Sequence, residues 1–247
     1  MSNIKVRGII IKQSDFGERN RIVTIFTREY GIIRTVVYGA KSIKHKNSAS
    51  TQFLCYADFI LRDTGRDMMT FVSSDILESF FPVYEDIAKL SLCVYLADLI
   101  YSLINQNVPD NNILSLFLNT VYAICYKSID NSVAKAVFEL RVIAYAGYMP
   151  NLSHCTMCGK GEDIVAFSPK SGGILCKNCR CVGDFNINAE IYHAIRYILT
   201  SEEKKMFSFK ASEEVMDEVI KIAESYAKTY NDKPLSSLDY YKKMSSL

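Results

Sequence analysis

Two closely spaced pairs of cysteines constrain the fold of this chain more than any other feature. Cys155 and Cys158 are separated by two residues, and the same spacing recurs 17 residues later in Cys176 and Cys179. Each pair can chelate from one tight turn, so the four thiolates can reach a single tetrahedral ion. The spacing predicts a zinc site, and the alternative is two unrelated pairs of buried cysteines. Because four sulfur ligands leave no open position for water, we expect a structural ion.

The other four cysteines have different interpretations. Cys55, Cys93 and Cys125 lie in apolar strand or helix patterns, where small core residues are expected. Cys181 is close enough in sequence to Cys179 to replace it as a ligand.

The expected compartment is the cytoplasm. The N-terminus has no recognisable secretory signal, since basic residues interrupt its short apolar run. The longest apolar stretch, residues 92–104, contains Asp98 and is too short to span a membrane. It therefore predicts a buried helix, and we expect no membrane contact. Reduced thiols in this compartment hold metal more often than they form disulfides.

Charge is distributed unevenly along a chain whose formal net charge is only +2. Residues 1–50 carry ten Lys or Arg against three Asp or Glu, a local charge of +7. The loop 39–50 contains Lys41, Lys44 and Lys46, which can neutralise phosphates without reading sequence; the alternative is a solvated loop. The aromatic residues near this loop have two alternative interpretations, as stacking faces for bases or as core residues. They are Phe16, Phe26, Tyr30, Tyr38 and Phe53.

Short runs rich in Ile, Val, Thr, Phe and Tyr predict five β-strands in the first 75 residues or so. They cover residues 4–12, 21–27, 32–38, 53–62 and 68–73. Five short strands favour a small closed barrel, and the OB-fold is the five-stranded barrel that we predict. An SH3-like barrel fits the pattern almost as well.

Helical periodicity replaces the strand pattern after Pro82. The predicted helices cover about residues 90–104, 113–124, 132–146, 187–199 and 212–230. Ser132 or Asn131 is expected to cap the third of them. The predicted fold class is α+β, an N-terminal five-stranded OB-fold barrel followed by a helical domain that contains a four-cysteine zinc module. Its parts are the barrel 1–80, a first helical part 81–150, the zinc module 151–185 and a second helical part 186–247.

The sequence offers little for catalysis. It lacks the motifs of a phosphate-binding loop, a dinucleotide fold or a nucleophile elbow, and it contains three histidines. A metal-dependent hydrolase would need an open coordination position, which four cysteines do not leave. We therefore expect a protein that is not an enzyme.

Several motifs, taken in their order along the chain, resemble those of one family. They occupy residues 8–19, 26–31 and 38–41 near the start, 138–141, 147–150, 155–159, 167–168, 172–173 and 175–179 in the middle, and 235–238 near the end. Together they are similar to the bacterial RecO family of DNA repair and recombination mediators.

The resemblance implies an N-terminal OB-fold, a helical domain and a zinc module. It also implies binding of single- and double-stranded DNA, annealing of complementary strands and association with the nucleoid. Family members cooperate with RecR and the single-strand-binding protein SSB to load the RecA recombinase. The alternative is an interaction hub, whose helical domain docks partner tails while the barrel contacts DNA only weakly.

The resemblance also suggests contact residues. By motif position the candidate phosphate contacts are Arg19, Arg34, Lys41, Lys44 and Lys46. The helical domain is where the family receives the acidic, phenylalanine-ended tail of SSB. Lys135 and Arg141 are candidate contacts for that tail, and a salt bridge or a solvated surface position is the alternative for each.

Overall fold

A computed structural model of the chain describes residues 2–41, 48–65, 68–106, 108–231 and 233–246. The chain divides into two compact units, Met1–Ser115 and Leu116–Leu247. None of the helices in the described part of the chain combines the length and the apolar character needed to cross a membrane.

The first unit begins with five strands, and all five match predicted strand runs. They are β1 (Asn3–Phe16), β2 (Asn20–Thr27), β3 (Gly31–Val37), β4 (Tyr56–Arg62) and β5 (Met69–Glu78). Within the described residues they close into a barrel in the order β1-β2-β3-β5-β4, with β1 paired to β4. The pair β3–β5 is parallel and the other pairs are antiparallel. The strands β1 and β5 continue four to five residues beyond their predicted ends.

The barrel core is made by inward-facing side chains that alternate along each strand. Examples from all five strands are Val6, Ile10, Val23, Ile25, Ile33, Val37, Phe59, Leu61 and Phe71. The alternation is interrupted in β1, where the register shifts between Ile10 and Lys12. Ile11 is the extra residue of this β-bulge, so Ile9, Ile10 and Ile11 are all buried before outward-facing polar residues begin at Lys12.

Helix α1 (Ile87–Leu103) follows the barrel in the first unit. The Asp86 carboxylate caps it by accepting hydrogen bonds from the backbone N–H groups of Ala88 and Lys89 at 2.9 and 3.1 Å. The apolar stretch predicted as a buried helix lies here, and most of its residues are buried. The segment after α1 reaches β3, because the Ile32 N–H donates to the Gln106 carbonyl at 2.6 Å.

The remaining helices are α2 (Asn111–Tyr126), α3 (Asn131–Tyr145), α4 (Ala189–Thr200), α5 (Glu213–Thr229) and α6 (Ser236–Ser245). The boundary between the two compact units falls inside α2, and α3 packs against α4 and α5 in the second unit. The predicted cap of α3 was wrong. The Asp130 carboxylate, not Asn131 or Ser132, accepts from the backbone N–H groups of Ser132 and Val133.

The segment between α3 and α4 in the sequence forms a small sheet. Within the fully described stretch 151–186 it consists of β6 (Ile164–Ser168), β7 (Gly173–Cys176) and β8 (Phe185–Asn186), in the order β7-β6-β8. The sequence pattern predicted no regular element here. The backbone of Asn151 accepts from Ile174 at 3.0 Å and donates to Gly172 at 2.9 Å, which joins the start of this segment to β7.

Candidate metal centre and nucleic-acid interface

The predicted zinc ligands form one cluster. The Sγ atoms of Cys155, Cys158, Cys176 and Cys179 all lie within 4.8 Å of one another, and those of Cys158 and Cys176 are 3.7 Å apart. Cys155 and Cys176 are buried, whereas Cys158 is exposed. The predicted grouping of four cysteines is therefore confirmed, and this donor set can hold a metal ion.

Two equivalent turns present the sulfur atoms. The Gly159 N–H donates to the Cys155 carbonyl at 2.8 Å, and the Arg180 N–H donates to the Cys176 carbonyl at 3.1 Å. Each Cys-x-x-Cys segment is thus folded back by the same backbone hydrogen bond. Gly159 has a φ of +75°, which a residue without a side chain adopts readily.

Neighbouring groups shift the pKa values of Cys155 and Cys179 in opposite directions. Burial raises the pKa of Cys155, but backbone N–H donors of Cys176, Cys158 and Met157 outweigh it and lower this pKa to about 6. Hydrogen bonds with the Cys158 and Cys176 sulfurs raise the pKa of Cys179 to about 12. The raised pKa of Cys179 disfavours its thiolate form, and a divalent cation bound to that sulfur would favour the thiolate.

The other cysteines lie outside this group. Cys181 is exposed, and its Sγ lies 3.7 Å from the carbonyl oxygen of Cys179, so Cys179 supplies the fourth sulfur in this arrangement. Cys55 and Cys93 are buried, as the core interpretation predicts, and Cys125 is half-buried.

The structure places the candidate phosphate contacts on the barrel as far as it describes them. Arg34 lies on β3 opposite Thr24 of β2, with its side chain exposed. Arg19 lies in the turn between β1 and β2, and its carbonyl accepts from the Lys41 N–H at 3.2 Å. Arg19 and Lys41 are therefore brought together at one end of the barrel. Lys44 and Lys46 lie outside the described residues.

These cations differ in how far they are neutralised. Lys41 Nζ lies 3.0 Å from Asp15 Oδ2 and donates to the Gly17 carbonyl at 3.1 Å. In the described part of the chain, by contrast, no carboxylate lies within ion-pair distance of Arg19 or Arg34. Two of the predicted phosphate contacts are thus available to an external anion.

Two other cations of the barrel are already paired with a carboxylate. Arg7 Nε and Lys5 Nζ lie 2.6 and 3.0 Å from the carboxylate oxygens of Asp58. The hydrogen bonds from Arg7 and then Lys5 hold the pKa of Asp58 well below its usual range. This carboxylate stays ionised and neutralises cations that a charge count would assign to nucleic-acid binding.

Sequence reasoning missed Lys12. Lys12 and Arg34 both pair with Thr24, from opposite sides, so the three residues form one row across β1, β2 and β3. The Lys12 Nζ lies 5.4 Å from the centre of the Tyr101 ring. Strict alternation from Ile10 would have turned Lys12 inward, and only the bulge at Ile11 reverses its direction.

The two candidate contacts for the SSB tail, Lys135 and Arg141, are already bonded to groups within the chain. Lys135 Nζ lies 3.0 Å from Glu139 and 2.9 Å from Glu224, and the residue is 2% exposed. Arg141 is equally buried; its Nε donates to the Ile198 carbonyl at 2.6 Å, and its guanidinium also donates to Ser201. The salt-bridge alternative describes Lys135, and a role in partner binding stays a prediction for both.

Models of two protein families match successive parts of the chain. The model described as Recombination protein O N terminal matches residues 1–80, and the model described as Recombination protein O C terminal matches residues 84–239. The second match alone covers more than half of the sequence.

Curated proteins similar to this chain carry the name DNA repair protein RecO. The protein from Acetivibrio thermocellus is 35% identical over 245 residues, which cover 98% of this chain and 97% of that protein. Those from Caldicellulosiruptor bescii and Caldicellulosiruptor saccharolyticus are 27% and 28% identical over 243 residues, with 98% of this chain and 99% of each relative covered. From the two family matches and these full-length similarities, we conclude that the chain belongs to the RecO family of DNA repair proteins.

Proposed function

We propose that this chain is a non-enzymatic DNA-binding protein that anneals complementary strands and helps load RecA together with RecR and SSB. The observation that carries the proposal is the exposure of Arg19 and Arg34, without carboxylate partners among the described residues, on the barrel of a RecO-family chain. Guanidinium groups bind phosphate oxygens without reading base sequence. Annealing needs this kind of affinity, because any two complementary strands must be held.

The barrel is best interpreted as an OB-fold. Its support is the closed order β1-β2-β3-β5-β4, in which β1 pairs with both β2 and β4. Proteins with OB-folds bind oligonucleotides on the barrel surface, which makes this architecture suitable for the proposed DNA contact.

We further propose that the cysteine cluster holds a structural zinc ion. Four thiolates are a donor set that favours zinc, with Zn–S distances of about 2.3 Å. A tetrahedron of that size has S–S edges of about 3.8 Å, and the Cys158–Cys176 distance is 3.7 Å. With four sulfur ligands the ion would have no position for a substrate, so it would supply a cross-link rather than catalysis.

The proposed partners beyond DNA are RecR and the acidic, phenylalanine-ended tail of SSB, which the helical domain would receive. Lys135 and Arg141 are the proposed tail contacts, and a tail would have to compete with the acceptors that they already have. Loading of a recombinase on chromosomal DNA implies a cytoplasmic protein associated with the nucleoid.

The central test measures binding of fluorescent single-stranded DNA by anisotropy at two salt concentrations. We expect affinity to fall as salt rises, because bound phosphates release counterions. Replacement of Arg19 and Arg34 by Ala should weaken binding, and each lost contact should reduce the slope of log affinity against log salt by about 0.7.

Lys5→Ala is the matched control on the same barrel, since Lys5 is exposed but already paired with Asp58. We expect it to change affinity less than either arginine does. Unchanged affinity and slope in the double arginine variant would contradict the assigned interface. Strand annealing with and without SSB would then test the family role itself, and absence of any annealing would count against it.

A further inference from the structure

Two exposed aromatic side chains, Phe16 and Tyr38, lie at the end of the barrel that also carries Arg19 and Lys41. We propose that these rings stack on the bases of single-stranded nucleic acid, so that the chain binds single strands in preference to duplex. The inference rests on the nucleic-acid binding proposed above and adds base contacts to the phosphate contacts assigned there.

The exposure of the two rings is the first observation. Phe16 is 42% exposed and Tyr38 is 58% exposed, whereas Phe26 and Phe59 of the same barrel are completely buried. Among the described residues, neither exposed ring stacks on another ring, and the Tyr38 hydroxyl has no hydrogen-bond partner. Apolar surface left in water does not stabilise a fold, so the exposed part of each ring contributes nothing to the stability of the barrel.

The strand register brings the two rings to either side of one residue. Phe16 of β1 pairs with Asn20 of β2. On the other side of β2, Arg21 pairs with Val37, and the Gly39 N–H donates to Asn20 Oδ1 at 3.1 Å, so Tyr38 lies next to Asn20. Because neighbouring strands are about 4.8 Å apart, the backbones at Phe16 and Tyr38 are separated by about 10 Å across the sheet.

The same register places cations on the face that the rings share. Asn20 and Thr24 are four residues apart on β2, an even number, so residues paired with them point to one face. Arg34, paired with Thr24, therefore accompanies Tyr38 at a distance of about 13 Å along β3. Lys12 of β1 also pairs with Thr24, so it points to the same face.

This combination of groups selects the ligand. Flat rings on the same face as guanidinium groups that have no carboxylate partner among the described residues fit a chain in which phosphates alternate with exposed aromatic bases. The nearby carboxylates are Asp15, which is paired with Lys41, and Glu18 in the β1–β2 turn. In duplex DNA the bases are stacked on one another, so the rings could not reach their faces.

The test exploits the absence of tryptophan from the chain. The variants Phe16→Trp and Tyr38→Trp each introduce a single indole, whose fluorescence should be quenched when a short oligothymidine stacks on it. An oligomer of abasic sites of the same length keeps the phosphates but lacks bases, and it should leave the fluorescence unchanged.

Affinity measurements complete the test. Phe16→Ala and Tyr38→Ala should each weaken binding of oligothymidine by about fivefold or more, the range for loss of one stacked base. Their affinities for the abasic oligomer and for duplex DNA should remain those of the unchanged protein. Tyr30→Ala is the matched control, because Tyr30 is 48% exposed but lies in the β2–β3 turn, at the opposite end of the strands.

The outcomes separate this inference from the function on which it rests. If the unchanged protein binds no nucleic acid, the proposed function fails. If it binds oligothymidine and the abasic oligomer equally, and the alanine variants do the same, the phosphate contacts stand and stacking is refuted. An indole that responds to a protein partner but not to oligothymidine would equally overturn the inference. The tryptophan variants retain an aromatic ring, so they provide a reading even if an alanine variant folds poorly.

Discussion

At the scale of single residues, Glu224 of α5 shows how charge is organised in the second unit. Three lysines of the described chain converge on its carboxylate: Lys135 at 2.9 Å, Lys228 at 2.7 Å and Lys242 at 2.5 Å. These lysines come from α3, α5 and α6, so one acidic side chain joins three helices. Burial raises the pKa of Glu224, but the hydrogen bonds from Lys228 and Lys242 and the charge of Lys135 outweigh it and lower this pKa to about 2.

We predict that Glu224→Gln lowers the free energy of unfolding by roughly 1.5–3 kcal/mol, the range for hydrogen bonds to a charged group. The folded-state pKa of Glu224 lies below its ordinary value of 4.5, so its contribution is complete above that value and is lost as pH falls toward 2. Chemical denaturation of both proteins at neutral pH and at several acidic pH values should show the difference between them shrinking over this range.

Glu218→Gln is the control on the same helix. Glu218 pairs with Lys221 at 2.7 Å, but both side chains are more than one-third exposed, and such pairs contribute less than about 1 kcal/mol. Equal losses from the two variants, or a difference that does not change with pH, would contradict the role assigned to Glu224.

At the scale of elements, the β2–β3 hairpin depends on Gly31. Its φ of +70° is the left-handed conformation that favours glycine. A Cβ at this position would also lie 2.6 Å from the Gln106 carbonyl oxygen and 2.8 Å from that of Val108, so the segment after α1 could not approach β3 as it does.

We predict that Gly31→Ala destabilises the first unit by the sum of two effects, about 1–2 kcal/mol for the left-handed backbone and about 1–3 kcal/mol for the overlap. Gly17→Ala is the control, since its φ is +62° but nothing lies within 4 Å of the added Cβ. Thermal or chemical unfolding should show the larger loss for Gly31. Equal losses would mean that the close approach contributes nothing.

The elements themselves could mostly be predicted. Alternating and helical periodicities located the five barrel strands and α1 to α5, because these patterns arise from neighbouring residues. The small sheet β6-β7-β8 and the ten-residue α6 were not predicted. Both are short: the three strands have five, four and two residues, and the buried residues of α6 are Ser237, Leu238 and Tyr241. Such short segments give a local pattern too few positions to indicate a regular element.

At the scale of the whole molecule, the second unit combines a helical core with a module too small to have much of a core. The buried cluster of that module consists of Cys155, Ala166, Leu175 and Cys176, so two of its four residues are metal-binding candidates. Modules with so little buried apolar surface depend on cross-links or metal ions for stability. The fold of residues 151–186 should therefore depend on the zinc ion proposed above.

We predict one zinc ion per chain, and we expect its loss to lower the unfolding temperature of the second unit. Metal analysis of the purified protein checks the content, and calorimetry before and after treatment with a chelator checks the stability. Replacement of Cys176 and Cys179 by Ser should abolish zinc binding, while Cys181→Ser, outside the cluster, should retain it. A metal-free native protein, or zinc retained by the double variant, would refute the site.

The net charge illustrates how much of the candidate site was predictable. Counting along the chain correctly located an excess of basic residues in the first 50 positions. Counting could not show that Asp58 neutralises Lys5 and Arg7, or that Lys41 is held by Asp15 while Arg34 has no such partner among the described residues. The partners of these ion pairs are up to 53 positions apart in sequence.

The sequence by itself determined the grouping of four cysteines, the order of the barrel strands and of α1 to α5, and membership in the family, because spacing and periodicity are local properties. Only the tertiary structure decided which side chains share a surface. A single bulge at Ile11 turned Lys12 toward the face of Arg34. The packing of α3 buried Lys135 against Glu224 of α5. It also buried Arg141 against Ile198 of α4 and Ser201, which follows that helix. Burial and ion pairing depend on contacts between segments that are distant in sequence, and a local sequence pattern does not indicate such contacts.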